Sequence, residues 1–304
     1  MKKIITFILT VKFLFAAVSL QLDTLNINEI FIYPYETDTN IREWNEPHQI
    51  LFRKKAKPKQ LILFFQGSYG KPGGYKYFKS SVLDSQNMII DLRYPNDWLT
   101  FEKCQAVLDE HIFDKFRYEI MFGKNLHLTI KVDTSNSLMN RFKKLLYYLK
   151  NNTTIDVNFL FDDNGNIDYS KITVCGFSQG AGMALLFGGL HPVNRIVLFA
   201  GPVDSNFVMK KVASWVTDSI NISNKNIYGL LNKYDYYYNY TLNVWKKIGG
   251  HKYDIITNEK PNISYRNNFV ISHIKHKDSH IGILLDDNYP IYLPLWRWLV
   301  TGKR

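Results

Sequence analysis

The stretch that decides the fold is Lys171-Ile172-Thr173-Val174-Cys175-Gly176-Phe177-Ser178-Gln179-Gly180-Ala181-Gly182. Its first part, 172–175, is short, apolar and rich in β-branched residues, as is typical of a strand buried on both faces. The next five residues fit the pattern Gly-x-Ser-x-Gly, in which small residues allow a sharp turn from a strand into a helix. The apolar, small-residue run 181–186 then favours a helix. The stretch therefore predicts a strained elbow that carries Ser178 and a helix whose N-terminus faces it.

The composition indicates a folded globular protein. The chain has 304 residues, of which 46% are hydrophobic and 15% aromatic, enough for one large domain. A net charge of +11 would suit nucleic acid or an anionic membrane. However, the lysines and arginines are scattered, no nucleic-acid-binding motif occurs, and basic clusters are no longer than Arg53-Lys54-Lys55. We therefore expect a basic surface and no nucleic-acid partner.

The N-terminal residues have the pattern of a secretory signal. Met1-Lys2-Lys3 is basic, the run 4–20 is mostly apolar, and Ala17-Val18-Ser19 is a small-x-small cleavage site. Lys12 interrupts the apolar run, which favours a cleaved signal over a permanent membrane anchor, although an uncleaved anchor remains the alternative. We predict a signal peptide over 1–20, one domain over 21–304, and a secreted or periplasmic protein.

The rest of the chain alternates strand-like and helix-like segments, with no internal repeat or low-complexity linker. Apolar runs predict strands, and apolar residues three to four apart predict helices. The predicted strands span 29–35, 49–53, 60–65, 87–94, 172–175, 195–200, 226–231 and 268–272. The predicted helices span 75–85, 135–151, 181–186 and 293–300, with an insertion over 96–133. This alternation predicts a single α/β domain whose mostly parallel sheet begins with an antiparallel pair and carries helices on both faces.

A glycine-rich loop follows the third predicted strand. Its sequence is Gln66-Gly67-Ser68-Tyr69-Gly70-Lys71-Pro72-Gly73-Gly74. The spacing matches neither G-x-x-x-x-G-K-[ST] nor G-x-G-x-x-G, so a phosphate cradle is not indicated. In α/β-hydrolases a loop at this place donates one backbone N–H to the oxyanion, and the residue after the nucleophile donates the other. We predict the N–H groups of Ser68 and Gln179 for these roles; a passive turn is the alternative for the loop.

A serine nucleophile needs a base to accept its proton and an acid to orient that base. Ser178 is followed by carboxylates at the ends of two predicted strands, Asp204 and Asp235. Histidines come later, at His251, His273, His276 and His280. In the α/β-hydrolase order of serine, acid and histidine, strand counting favours Asp235 over Asp204, which is otherwise a turn residue. It also favours His280, after the last strand, over His276.

These residues predict the catalytic set Ser178, Asp235 and His280, with no metal and no organic cofactor. The last three histidines, together with Asp278, match no zinc spacing, so a metal cluster is not favoured. Tyrosines crowd the predicted acid, at Tyr234, Tyr236, Tyr237, Tyr238 and Tyr240. Two interpretations of this cluster stay open: it lines an acyl or aromatic substrate pocket, or it packs at an edge of the fold.

Short motifs are spread over the mature chain. They are Gly67-Ser68-x-Gly70-x-Pro72, Arg93-Tyr94-Pro95-Asn96, Arg117-x-Glu119-Ile120-x-x-Gly123, Gly176-x-Ser178-Gln179-Gly180-Ala181-Gly182-Met183, Arg195-Ile196-Val197, Gly201-Pro202-x-Asp204, Trp245-x-x-x-Gly249, Ser279-His280 and Pro294-Leu295-Trp296. Together they resemble a family of secreted, largely uncharacterised α/β-hydrolases distantly similar to esterases and cutinases. Three features depart from it: Phe177 replaces a histidine, Gln66 replaces a proline or histidine, and a cysteine expected before Arg117 is missing, which leaves Cys104 unpaired.

The resemblance implies a single-domain α/β-hydrolase fold and a secreted serine hydrolase. Its substrate would be a small-molecule or lipid-like ester, and it would meet a membrane only through an uncleaved N-terminal signal. A non-catalytic binding protein of the same fold is the alternative, because a fold alone does not imply a reaction.

Overall fold

The computed structural model describes residues 26–105, 107–127, 129–206, 208–218, 226–258 and 265–303. The predicted signal peptide at 1–20 lies outside these residues. Among the helices of the described segments, none is both long and apolar enough to cross a membrane.

The described residues contain eleven strands in two sheets. In chain order they are β1 (Ile27–Ile32), β2 (His48–Arg53), β3 (Gln60–Phe65), β4 (Asn87–Asp91), β5 (Ile172–Phe177), β6 (Arg195–Phe199), β7 (Ser205–Asn206), β8 (Lys211–Val212), β9 (Ile227–Asn232), β10 (Tyr253–Ile256) and β11 (Phe269–Ser272). The central sheet has the order β1-β2-β4-β3-β5-β6-β9-β11-β10, and β7 pairs with β8 separately. Strand β2 is antiparallel to both of its neighbours, and the other pairs of the central sheet are parallel. The predicted α/β-hydrolase class and the antiparallel start of the sheet are confirmed.

Helices cover both faces of this sheet. They are α1 (Pro34–Thr37), α2 (Lys76–Val82), α3 (Thr100–Cys104), α4 (Ile112–Phe122), α5 (Leu138–Asn152), α6 (Gln179–Leu190), α7 (Ser214–Thr217), α8 (Tyr238–Lys247) and α9 (Tyr289–Thr301). Because successive side chains of a strand point to opposite faces, the apolar run of β3 feeds two cores. Leu61 and Leu63 belong to the core with α4, α5 and α6, whereas Ile62 and Phe64 belong to the core with α2 and α9.

Several element boundaries differ from the predictions. The strand predicted over 29–35 ends at Ile32, because Pro34 begins α1 and proline suits the first turn of a helix. The strand predicted over 87–94 ends at Asp91, and the elbow helix continues to Leu190. The insertion over 96–133 contains α3 and α4. Helix α8 and strand β10 have no counterpart among the predictions; α8 is rich in polar and aromatic residues, and β10 is a four-residue strand at the edge of the sheet.

Candidate active site

Ser178 lies in a strained turn between β5 and α6. Its φ is 54° and its ψ is −116°, a conformation that L-residues rarely adopt. A Cβ on Gly176 would overlap the carbonyl of Gly180, and a Cβ on Gly180 would overlap the carbonyl of Phe65, so the turn needs glycine on both sides. The Ser178 N–H donates to the carbonyl of Phe199 at 2.8 Å, which ties the turn to β6. The predicted elbow is therefore present, at the C-terminal edge of the central strands.

The side chains of Ser178, His280 and Asp235 form one hydrogen-bonded row. Ser178 Oγ lies 2.8 Å from His280 Nε2, and His280 Nδ1 lies 2.7 Å from Asp235 Oδ2. Because a carboxylate only accepts hydrogen bonds, the imidazole must carry its proton on Nδ1 and present the Nε2 lone pair to the serine. The other carboxylate oxygen accepts the N–H of Tyr237 at 2.8 Å. His280 and Asp235 are both buried, so water competes little for these bonds.

The ends of two neighbouring strands bring this acid and this base together. Asp235 follows β9, and His280 follows β11, which pairs with β9 in the sheet. The side chain of Asn232 donates to the carbonyl of Ile274 at 2.7 Å and so links the two loops. The His280 N–H donates to Asp278 Oδ1 at 2.9 Å. The two side chains, 45 residues apart in the chain, thus meet at one edge of the sheet.

Aromatic rings surround the imidazole of His280. The ring centroids of Phe177, Tyr236 and Tyr237 lie 5.0, 5.1 and 5.3 Å from it. Tyr240, from the same tyrosine cluster, instead packs against Phe101 at 5.1 Å. Tyr236 and Tyr237 of the cluster therefore lie beside the imidazole, whereas Tyr240 packs against α3.

The two predicted oxyanion donors are joined through their side chains. Ser68 Oγ donates to Gln179 Oε1 at 2.7 Å, a bond between residues 111 positions apart. The N–H groups of Tyr69 and Gly70 have acceptors, at 2.8 and 3.0 Å. For the N–H groups of Ser68 and Gln179, no protein acceptor is found in the described segments. Both groups can therefore donate to a bound molecule.

A cleft of about 400 Å³ adjoins this region. It lies between the glycine-rich loop and the segment that follows His280. Apolar side chains of Tyr75, Ile281 and Leu285 contribute to its walls, with Lys71 and Asp286 among its charged lining residues. The cleft approaches the row of Ser178, His280 and Asp235 through Ile281, the neighbour of His280 in the chain.

Asp204 and His276, the alternatives to the predicted acid and base, have other partners. Asp204 is fully buried and forms a two-point ion pair with Arg117, at 2.8 Å to Nε and 2.6 Å to Nη2. It also accepts the indole N–H of Trp215 at 2.9 Å. His276 Nε2 lies 2.8 Å from the hydroxyl of Tyr292. Across the described residues, no group of three or more histidines, cysteines and acids could hold a metal ion.

Sequence reasoning missed the role of Arg117. Its Nη1 donates to the carbonyl of Gln179 at 2.8 Å, so it supports the first turn of α6 next to Ser178. The turn interpretation of Asp204 was incomplete for the same reason, since the residue that pairs with it lies 87 positions earlier in the chain. The only available signal was that Arg117 and Asp204 both occur in the motifs that carry the family resemblance.

No family model matches the chain, and no curated protein matches its sequence. Solved structures do match. A dienelactone hydrolase from Anabaena variabilis is 11% identical over 91% of this chain and 99% of its own, with a TM-score of 0.47. An esterase from Mycobacterium marinum is 9% identical over 94% and 84%, with a TM-score of 0.48. Esterase B from Lactobacillus rhamnosis is 10% identical over 95% and 92%, with a TM-score of 0.45. Similarity this distant carries no information about the reaction, which must be inferred from the side chains.

Proposed function

We propose that the chain is a serine hydrolase that cleaves an ester, or a related acyl bond, through an acyl-enzyme at Ser178. The observation that carries the proposal is the row from Ser178 Oγ through His280 to Asp235, at 2.8 and 2.7 Å, on an elbow with a φ of 54°. Strained backbone persists where the surrounding structure holds it, and such positions cluster at active sites. A protein that only binds a ligand has no need for this combination.

In the proposed reaction, Ser178 Oγ attacks the carbonyl carbon while its proton passes to His280 Nε2. Asp235 stabilises the resulting imidazolium and keeps the ring oriented. The electron pair of the carbonyl moves onto its oxygen, which accepts hydrogen bonds from the N–H groups of Ser68 and Gln179. Collapse of this intermediate breaks the bond to the alcohol oxygen, which takes the proton from His280 and leaves Ser178 acylated.

Water then completes the turnover. It gives a proton to His280 Nε2 as it attacks the acyl carbon, and the second intermediate releases the carboxylic acid when Ser178 Oγ recovers its proton. The balance is one ester and one water consumed, and one acid and one alcohol formed. No other co-reactant is required.

We infer a small-molecule or lipid-like ester as the substrate. The part of the cleft wall formed by Tyr75, Ile281 and Leu285 suits an apolar acyl or alcohol group, since burial of apolar surface favours binding. We also propose that the mature protein, residues 21–304, acts outside the cytoplasm, on the basis of the signal-like pattern at 1–20.

The test is hydrolysis of p-nitrophenyl esters from acetate to palmitate by the mature protein and by Ser178→Ala. We expect Ser178→Ala to lower kcat by about 10⁴-fold or more. A fluorophosphonate should label the mature protein but not the variant. Ser80→Ala is the matched control and should keep both turnover and labelling, because Ser80 lies on α2 and its hydroxyl donates to the carbonyl of Tyr77 at 3.2 Å.

Two results would contradict the proposal in different ways. Equal turnover in the mature protein and in Ser178→Ala would exclude Ser178 as the nucleophile. Absence of both turnover and labelling in the mature protein would favour the alternative, a non-catalytic binding protein of the same fold. If turnover occurs, its dependence on acyl length measures the size of the acyl site.

A further inference from the structure

The glycine-rich loop that carries Ser68 is held from outside by the segment after β4. The hydroxyl of Tyr94 donates to the carbonyl of Gln66 at 2.6 Å. The side-chain amide of Asn96 donates to the carbonyl of Gly67 at 2.6 Å and to that of Gly70 at 2.8 Å. These two side chains therefore hold three carbonyls of the loop, on both sides of Ser68, and the carbonyl of Gly67 also accepts the N–H of Gly70 at 3.0 Å.

The bond to Gly67 acts directly on the proposed oxyanion donor. The carbonyl of Gly67 and the N–H of Ser68 belong to the same peptide group, which is planar and trans. In such a group the C=O and the N–H point in opposite directions, so a side chain that holds the carbonyl also sets the direction of the N–H. Glycine at position 67 leaves this peptide free to rotate unless another group restrains it.

The side chain of Asn96 can have only one orientation. It is fully buried, and its Oδ1 accepts a hydrogen bond from Nη1 of Arg93. Because a guanidinium only donates, the amide oxygen must face Arg93 and the NH₂ group must face the two loop carbonyls. Arg93 is itself buried and is held by Glu46, at 2.8 Å from Nε, and by the carbonyl of Tyr94, at 2.7 Å from Nη1.

We infer that Asn96 is a positioning residue for the proposed reaction. It holds the carbonyl of Gly67 on one side of the peptide so that the N–H of Ser68 points to the opposite side, where the oxyanion would form. The bond from Ser68 Oγ to Gln179 Oε1 then keeps this peptide close to the second donor. The inference rests on the proposed function, because it assigns a role in stabilising an oxyanion.

The experiment compares Asn96→Asp and Asn96→Ala with a matched control, Asn87→Asp. Asn96→Asp keeps an oxygen for Arg93 but loses both N–H donors, and Asn96→Ala loses them without adding a charge. Asn87 lies at the opposite end of β4, is also buried, and also donates to a backbone carbonyl, that of Val82 at the end of α2, at 3.0 Å. For each protein kcat and KM on a p-nitrophenyl ester are measured, together with the midpoint of thermal unfolding.

We expect both Asn96 variants to lower kcat by about 10²-fold, the effect of losing or misplacing one oxyanion donor. We expect KM to stay within about twofold, because the donor acts mainly in the transition state. Asn87→Asp should lower the unfolding midpoint to a similar extent but leave kcat unchanged. If these Asn96 variants do not fold, Asn96→Ser removes the same amide donors with a smaller change in polarity and should still lower kcat by about tenfold without changing KM.

The outcomes separate this inference from the proposed function. If the unaltered protein neither turns over esters nor reacts with a fluorophosphonate, the proposed function fails and the inference fails with it. If the unaltered protein is active but the Asn96 variants, or Asn96→Ser in their place, keep its kcat, the inference is wrong and the proposed function stands. The inference is also wrong if the Asn96 variants change only KM, or if Asn87→Asp lowers kcat as much as the Asn96 variants do.

Discussion

The ring of Tyr236 covers one side of the His280 imidazole, although 64% of the residue is exposed to solvent. Partial burial, and after it the neighbouring Asp278, Tyr237 and Asp235, together raise the pKa of its hydroxyl to about 12. The phenol therefore keeps its proton in neutral solution and cannot act as a base. What this side chain offers the site is an apolar surface that keeps water from the imidazole.

This account predicts different results for two substitutions of Tyr236. Tyr236→Phe keeps the ring, and we expect kcat/KM to stay within about twofold of the unaltered protein from about pH 6 to about pH 9. Tyr236→Ala exposes the imidazole to water, which weakens its electrostatic interactions, and we expect a loss of about five- to tenfold. Ester hydrolysis measured across this pH range tests both. A loss in Tyr236→Phe as large as in Tyr236→Ala would mean that the hydroxyl takes part.

At the scale of elements, helix α6 rests on a buried ion pair. Arg117, from α4, binds Asp204, from the segment after β6, and also the carbonyl of Gln179 at the start of α6. A Cβ on Gly182 would overlap the guanidinium, so glycine at this position allows the helix to lie directly on Arg117. This arrangement connects three elements just below Ser178.

Asp204→Asn should lower the free energy of unfolding by about 3–5 kcal/mol, because it leaves the charge of Arg117 buried and unpaired. The double variant Arg117→Met with Asp204→Leu removes both charges and should recover much of this loss, since well-packed apolar residues often replace a buried ion pair at little cost. Urea denaturation measures both variants. Equal losses in the single and double variants would contradict this account, because the penalty would then not come from an unpaired charge.

At the scale of the whole molecule, one buried histidine couples the stability of the fold to pH. His48 begins β2, has no exposed surface, and accepts the backbone N–H of Arg93 on Nδ1 at 2.9 Å. Burial lowers the pKa of His48 well below its ordinary value, and the charges of Arg141 and Arg93 lower it further. The folded protein therefore keeps this imidazole neutral under conditions in which the unfolded chain binds a proton.

The sign of the effect follows from proton linkage. Below about pH 6.5 the His48 imidazole takes up a proton in the unfolded chain but not in the folded protein. The contribution of His48 to the free energy of unfolding is therefore fully present above that pH and decreases as the pH falls towards the lower pKa of the folded state. The slope from this residue approaches about 1.4 kcal/mol per pH unit. We expect urea denaturation between about pH 8 and about pH 5 to show a smaller decrease for His48→Gln than for the unaltered protein. Parallel curves for the two proteins would mean that His48 binds a proton equally in the folded and unfolded states.

Most of the central sheet could be predicted from local patterns. Strands β3, β5 and β6 are continuous apolar runs, and few conformations other than a strand buried on both faces suit such short runs. Helix α8 escaped prediction because its apolar residues are few and polar residues separate them, so tertiary packing around Trp245 stabilises it more than its own pattern does. Strand β10 was not predicted because it is a short edge strand with exposed residues, so it lacks the continuous apolar run of the central strands.

The elbow at Ser178 depends on steric contacts among neighbouring residues, so the local sequence Gly176 to Gly180 is enough to predict it. The chain order of acid and histidine likewise follows from counting strands. Local sequence could not show that Asp235 meets His280 while Asp204 pairs with Arg117, nor that Asn96 holds the loop of Ser68. These contacts join residues 29 to 87 positions apart, and they form only when the ends of separate strands and helices are packed side by side. Hydrogen-bond geometry between such residues depends on the folded positions of their backbones, which no short segment specifies.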